Sequence, residues 1–154
     1  MATNQERLGI DLRLLRNLDR IKSNRDPGND LAVRKRPETN RVDLDTHAGA
    51  DNLVQALLLR LLTPKGELAV LGHPEYGSRL EELIGELNSE TIRNRAKLYT
   101  LEALTADPRV KQVLSVNVKQ NGRDRTQVDI AVKLVAIDSD TPLNFVFPFF
   151  LERA

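Results

Sequence analysis

Cysteine is absent from the 154 residues, which excludes a disulfide framework, a thiolate zinc site and a cysteine nucleophile. Tryptophan is absent as well, and aromatic residues make up only 4% of the chain, so nothing suggests an aromatic-lined sugar cleft. Neither charge sign is in excess: 23 Lys and Arg face 22 Asp and Glu, for a formal net charge of +1. Dedicated nucleic-acid binders usually carry a basic surplus, so no nucleic-acid partner is expected. No apolar run approaches the roughly 18 residues of a membrane span. The polar segment Met1–Arg7 starts no signal-type sequence. No membrane partner is expected, and the chain should stay in the cytoplasm unless it leaves within a larger particle. The eight glycines are scattered, and none opens a phosphate-cradling G-x-G or P-loop pattern.

The search for chemistry is equally sparse. His47 and His73 sit in no metal-ligand spacing. Asp138-Ser139-Asp140 has half of a calcium-type spacing and lacks the rest of a binding loop; it reads as a polar turn before Pro142. Glu67, Glu75, Glu81 and Glu82 could supply a glycosidase pair by count alone. Ser78 and His73 lack the strand-to-helix elbow of a serine nucleophile. No catalytic, cofactor-binding or metal-binding residue is expected. The reading is of an interaction protein, not an enzyme.

What is present fits one globular domain: 40% apolar residues, 29% charged, and a length within the single-domain range. Leucine dominates the first two thirds. All four phenylalanines fall between Phe145 and Phe150. Residues 5–22 read as a helix with two apolar stripes, one of Leu8, Leu12 and Leu15, the other of Ile10, Leu14, Leu18 and Ile21. Residues 23–47, with an Asp26-Pro27-Gly28 turn and the basic run Arg34-Lys35-Arg36, read as a linker. A long tether to an end helix favours a docking arm over a helix of the core.

Residues 48–62 predict a helix that is apolar nearly all round, interrupted late only by Gln55 and Arg60, and ending before Pro64. Glu67–Leu71 predicts a short strand. Ser78 is a natural N-cap for a helix over 79–87, and a further helix is expected over 90–105, ended by Asp107-Pro108. Two strands follow, Leu114–Lys119 and Val128–Leu134. Asn121-Gly122 suggests a two-residue turn, but that register inverts the apolar faces. A five-residue loop, 121–125, pairs Val118 with Val128 and Val116 with Ile130 instead. In a last strand over 143–151, Leu143, Phe145, Phe147, Phe149 and Leu151 share one face. Pro148 cannot donate to a ladder, so this strand belongs at a sheet edge. An apolar edge at a chain end needs something to pair with it. The expected fold is α+β, a small domain of three helices on a mainly antiparallel sheet (48–154) with an N-terminal helical arm (1–22).

Three stretches occur in order after the apolar helix: Thr63-Pro64-Lys65-Gly66-Glu67, His73-Pro74-Glu75-Tyr76-Gly77-Ser78-Arg79-Leu80, and Asp107-Pro108-Arg109-Val110. With the Val-rich strand pair that follows, this set resembles the baseplate wedge or sheath-initiator family of contractile phage tails and contractile injection systems, over roughly residues 50–137. The family pattern usually has Glu-Pro-Arg where this chain has Asp107-Pro108-Arg109, one methylene shorter.

The resemblance implies a structural baseplate component, six copies per particle by baseplate symmetry, that links wedge proteins to the first sheath ring and initiates sheath assembly. It implies wedge contact through Asp107, Pro108 and Arg109. The plainer alternative for Arg109 is an intramolecular pair with Glu75 or Glu102. The sheath would pair with the edge strand carrying Phe145, Val146, Phe147, Phe149 and Phe150. The arm residues Leu8, Leu12, Leu15 and Leu18 would pack on baseplate, tube or hub proteins. A lysozyme-like peptidoglycan hydrolase carried on the baseplate is the alternative.

Overall fold

The computed structural model describes residues 7–14, 31–137 and 139–152. The chain forms two compact units, 1–55 and 56–154.

In the first unit, β1 (Ile10–Leu12) pairs antiparallel with β4 (Thr46–Ala48), and β2 (Val33–Lys35) pairs antiparallel with β3 (Val42–Leu44). Asp45 joins the two ladders. Its N–H donates to the Ala32 carbonyl at 2.8 Å, and its carbonyl accepts from Arg13 N–H at 2.8 Å. The result is a narrow ribbon. The first turns of α1 (Ala50–Leu62) clamp its N-terminal segment. Asn52 Nδ2 donates to the Leu8 carbonyl at 2.9 Å, and Gln55 Nε2 to the Leu12 carbonyl at 2.7 Å. Leu14 N–H donates back to Gln55 Oε1 at 2.7 Å.

This corrects the expected helical arm. A helical turn at Arg7 and Leu8 stops at Gly9, which takes a φ of +77°, and extended chain follows. The backbone polar groups of that extended chain are satisfied by the side-chain amides of α1, so a helix is not needed to pair them. Leu8 is buried and Leu12 is 37% exposed. Leu15 and Leu18 lie outside the described residues. Of the expected linker, residues 31–47 carry β2, β3 and the start of β4, and 23–30 lie outside the described residues.

In the second unit, α2 (Glu90–Thr105) begins at an N-cap in which Ile92 N–H donates to Ser89 Oγ at 3.3 Å. It packs against β5 (Val110–Gln120), the first strand of an antiparallel sheet with β6 (Gln127–Ala136) and β7 (Pro142–Phe150), in the order β5-β6-β7. The core gathers Leu57, Leu83, Leu104, Ile130, Leu134 and Phe147, each at most 1% exposed. The described helices are thus two, not three. Residues 79–87 make only a 3-10 turn, Leu80–Leu83, because Ile84 is extended and Gly85 takes a φ of +94°. Leu87 is 86% exposed instead of sharing an apolar face. The expected strand at Glu67–Leu71 is a run of turns ending in a 3-10 turn, Ala69–Leu71, closed by Gly72.

The β5–β6 register pairs Val118 with Ile130 and Val116 with Val132, two residues beyond the expected pairing and with the same faces. The loop is longer because two side chains build it. Asn121 Oδ1 accepts from the N–H groups of Arg123 and Asp124, and Asp124 Oδ1 accepts from the N–H and the hydroxyl of Thr126.

Candidate functional site

The motif stretches converge in the second unit. Pro64 and Ser78 form a parallel bridge: Ser78 N–H donates to the Thr63 carbonyl at 2.8 Å, and Lys65 N–H to the Ser78 carbonyl at 2.8 Å. Gly77 makes this approach possible. A Cβ there would lie 2.6 Å from the carbonyl oxygens of both Thr63 and Pro64, and its φ of +109° suits glycine alone. Ser78 Oγ donates to the Leu61 carbonyl at 2.8 Å, closing the end of α1. It accepts from Leu80 N–H only at 3.4 Å, so its main role is at the helix before it rather than the expected helix after it.

Asp107-Pro108-Arg109 closes the turn from α2 into β5. Arg109 Nε and Nη2 donate to the two Asp107 carboxylate oxygens at 3.0 and 2.9 Å, and Arg109 N–H donates to Oδ1 at 3.0 Å. A second guanidinium, Arg60, reaches the same carboxylate at 3.9 Å and lies over the Tyr76 ring at 4.5 Å. Burial pushes the Asp107 carboxyl up, but the hydrogen bonds from Arg109 and the charges of Arg109 and Arg60 outweigh it and hold it below the usual carboxylate range. Asp107 is 3% exposed, Pro108 is exposed, and the Arg109 side chain is 30% exposed. Arg109 therefore does pair within the chain, but with Asp107. Glu102 and Glu75 go to Lys65, at 2.9 and 3.4 Å. Arg60 and Tyr76 were not among the expected site residues. The signal was the polar interruption of an otherwise apolar helix at Arg60.

The sheet presents a different surface. β7 lies at an edge, as Pro148 implied. Its register with β6 runs without a bulge from Gln127 opposite Phe150 to Val135 opposite Pro142. Phe147 and Phe149 are buried at 1% and 9% exposure, Phe145 and Phe150 are partly buried, and Val146 is 57% exposed on the opposite face from Phe147. The expected edge residues thus divide into core side chains and one outward side chain. The other edge strand, β5, has register shifts at Val110/Gln112 and Val113/Ser115.

The carboxylates considered for glycosidase chemistry are exposed. Glu82 is held below the usual range, chiefly by Arg79, which donates to it at 2.8 and 3.0 Å. A general acid needs the opposite shift.

The described residues form an α+β module with a motif cluster at the turn into β5 and a three-stranded sheet with two edge strands. A family model described as contractile injection system sheath initiator matches residues 21–137, and the chain belongs to that family. The family is structural, and its members are components of contractile tail-like particles. Among solved structures, the chain is similar to a Geobacter sulfurreducens protein described as a "putative tail lysozyme", with a TM-score of 0.57 and 21% identity. The match covers 65% of this chain and 88% of that one, and it shows the fold. No curated protein matches the chain.

Proposed function

We propose that this chain starts the first sheath ring by lending the open edge of β7 to an extended segment of the sheath subunit, while the Asp107–Arg109 loop holds it to wedge proteins of the baseplate. One observation carries the reading. The backbone N–H groups of Asn144 and Val146 face away from β6 and have no partner among the described residues. An unpaired edge of this kind is a template for strand addition, with backbone bonds making the joint and alternate side chains setting register. At the loop, two guanidiniums share one carboxylate, and Arg60 Nε has no hydrogen-bond partner. That local positive excess suits a carboxylate of the wedge. Of the expected arm residues that are described, Leu8 is buried and Leu12, 37% exposed, is open to baseplate, tube or hub contact. Six copies per particle would follow from baseplate symmetry.

Deleting β7 would strip Phe147 and Phe149 from the core, so the test is a point change. Val146→Pro removes one outward donor, at an edge that already holds Pro148. Co-expressed with the sheath protein, the folded variant should give no ordered sheath in negative-stain images. Sheaths of wild-type number and length would contradict the edge assignment. Arg109→Ala should leave the fold intact and reduce recovery of the protein with purified wedge complexes. Retention at wild-type level would remove that contact.

The description of the structural neighbour gives the hydrolase reading its only support. It predicts that purified protein lyses peptidoglycan and that Glu75→Gln or Glu81→Gln abolishes the activity. The scaffold reading expects turbidity loss no greater than with buffer.

A further inference from the structure

Two prolines interrupt the open edge of β7. Leu151 N–H donates to the Thr126 carbonyl at 2.8 Å, and the β6–β7 register is uniform. In an antiparallel ladder, alternate residues turn their N–H and C=O groups toward the partner strand. Residues 143, 145, 147, 149 and 151 therefore face β6, and residues 142, 144, 146, 148 and 150 face outward. Two of these outward positions, Pro142 and Pro148, have no N–H. Between them the edge offers two donors, on Asn144 and Val146, each with its own carbonyl.

We infer that Pro142 and Pro148 bracket the joint and fix the register of the added sheath strand, which exchanges backbone bonds with Asn144 and Val146 alone. The inference rests on the sheath-pairing reading above and adds to it where, and over what length, the strands meet. A partner segment just long enough to span Asn144 and Val146, shifted by two residues either way, would set one of its carbonyls against a proline, losing one of four backbone bonds and meeting the ring. The side-chain surroundings define the partner further. On the outer face, Val146 borders a shallow groove of about 310 Å³ lined also by Ser115, Asn117, Ala131, Lys133 and Asn144. On the inner face the neighbour is the partly buried Phe145. The segment that fits is extended, with an aliphatic residue beside Val146 and an apolar one beside Phe145. β5, the other edge of this sheet, has register shifts at Val110/Gln112 and Val113/Ser115 and pairs regularly only from Ser115 to Gln120.

The absence of cysteine makes the register measurable, because Val146→Cys in the full chain is a unique thiol. Cysteines are placed one at a time along the extended segments of the co-expressed sheath subunit, and disulfide yield is read after oxidation of the complex. With both prolines present, one position and its immediate neighbours should cross-link. With Pro142→Ala and Pro148→Ala together, cross-links at positions two residues to either side should rise several-fold. Pro148 is buried, so if the double variant loses its thermal transition, Pro142→Ala alone, at the exposed end, should spread cross-links to one side only. A register that stays single in a folded proline variant would overturn the bracketing while leaving strand pairing in place. No cross-link at any sheath position, in a complex that still co-purifies, would overturn both.

Discussion

Two strand edges in this molecule meet the same hazard in opposite ways. In the N-terminal ribbon, the outward N–H groups of Leu12, Leu44 and Thr46 are each covered by the carboxylate of the preceding residue: Asp11 at 2.7 Å, Asp43 at 2.8 Å and Asp45 at 3.1 Å. An incoming strand would have to displace those carboxylates and lie beside their charge. On β7 the residues before the outward N–H groups are Leu143 and Phe145, which cover nothing. The difference teaches that an open edge here is a local property of sequence. Aspartate one residue before an outward amide closes an edge, proline ends one, and an apolar residue leaves it available.

The comparison can be broken most severely from inside the β7 sheet. Phe147→Ala removes a core ring 1% exposed and should cost about 3–5 kcal/mol in urea unfolding. A cost near zero would show that Phe147 faces a partner rather than the core.

Asp107→Asn comes next. It leaves Arg60 and Arg109 without their counter-charge and should cost about 1–3 kcal/mol, the upper figure for a buried pair being reduced because Arg109 is partly exposed. The native Asp107 carboxyl is held below its ordinary value, so its contribution is complete above the ordinary carboxylate range. It is lost as pH falls through the lowered value. Wild type should therefore lose stability below about pH 4, and the asparagine variant should lose less over the same interval.

The smallest effect on stability sharpens the contrast itself. Asp43→Asn with Asp45→Asn should change folding only slightly, because the Arg36–Asp43 pair is more than half exposed and the Arg13–Asp45 pair is partly exposed. Sedimentation velocity should nonetheless show new self-association, as the ribbon edge loses its charged cover. A monomer at all concentrations would show that the carboxylates do not close that edge.

Much of the second unit was legible because its signals are local and agree. Asp107-Pro108 marked the end of α2, and Pro148 marked β7 as an edge; the Ser89 cap at the start of α2 is found only in the structure. The strand faces followed from alternating valines. The loop length did not, since Asn121 and Asp124 build a six-residue turn that a dipeptide rule misses. Over 9–14 the expected helix gives way to extended chain for a tertiary reason. Leu8 and Leu12 keep helical spacing, but Asn52 and Gln55, far along the chain, satisfy the backbone of Leu8, Leu12 and Leu14. The same helix held the clue to the site. Its two late polar interruptions, Gln55 and Arg60, each do a job that an apolar residue could not, one on the backbone of β1 and one on Asp107.

The central claim is that the sheath joins at Asn144 and Val146. Hydrogen exchange of the backbone amides, compared between the free chain and its complex with sheath protein, reads it directly. The account predicts fast exchange at both positions in the free chain and strong protection of both in the complex, with β5 unchanged. Protection appearing instead at Val116–Gln120 of β5, with Asn144 and Val146 still exchanging fast, would contradict it.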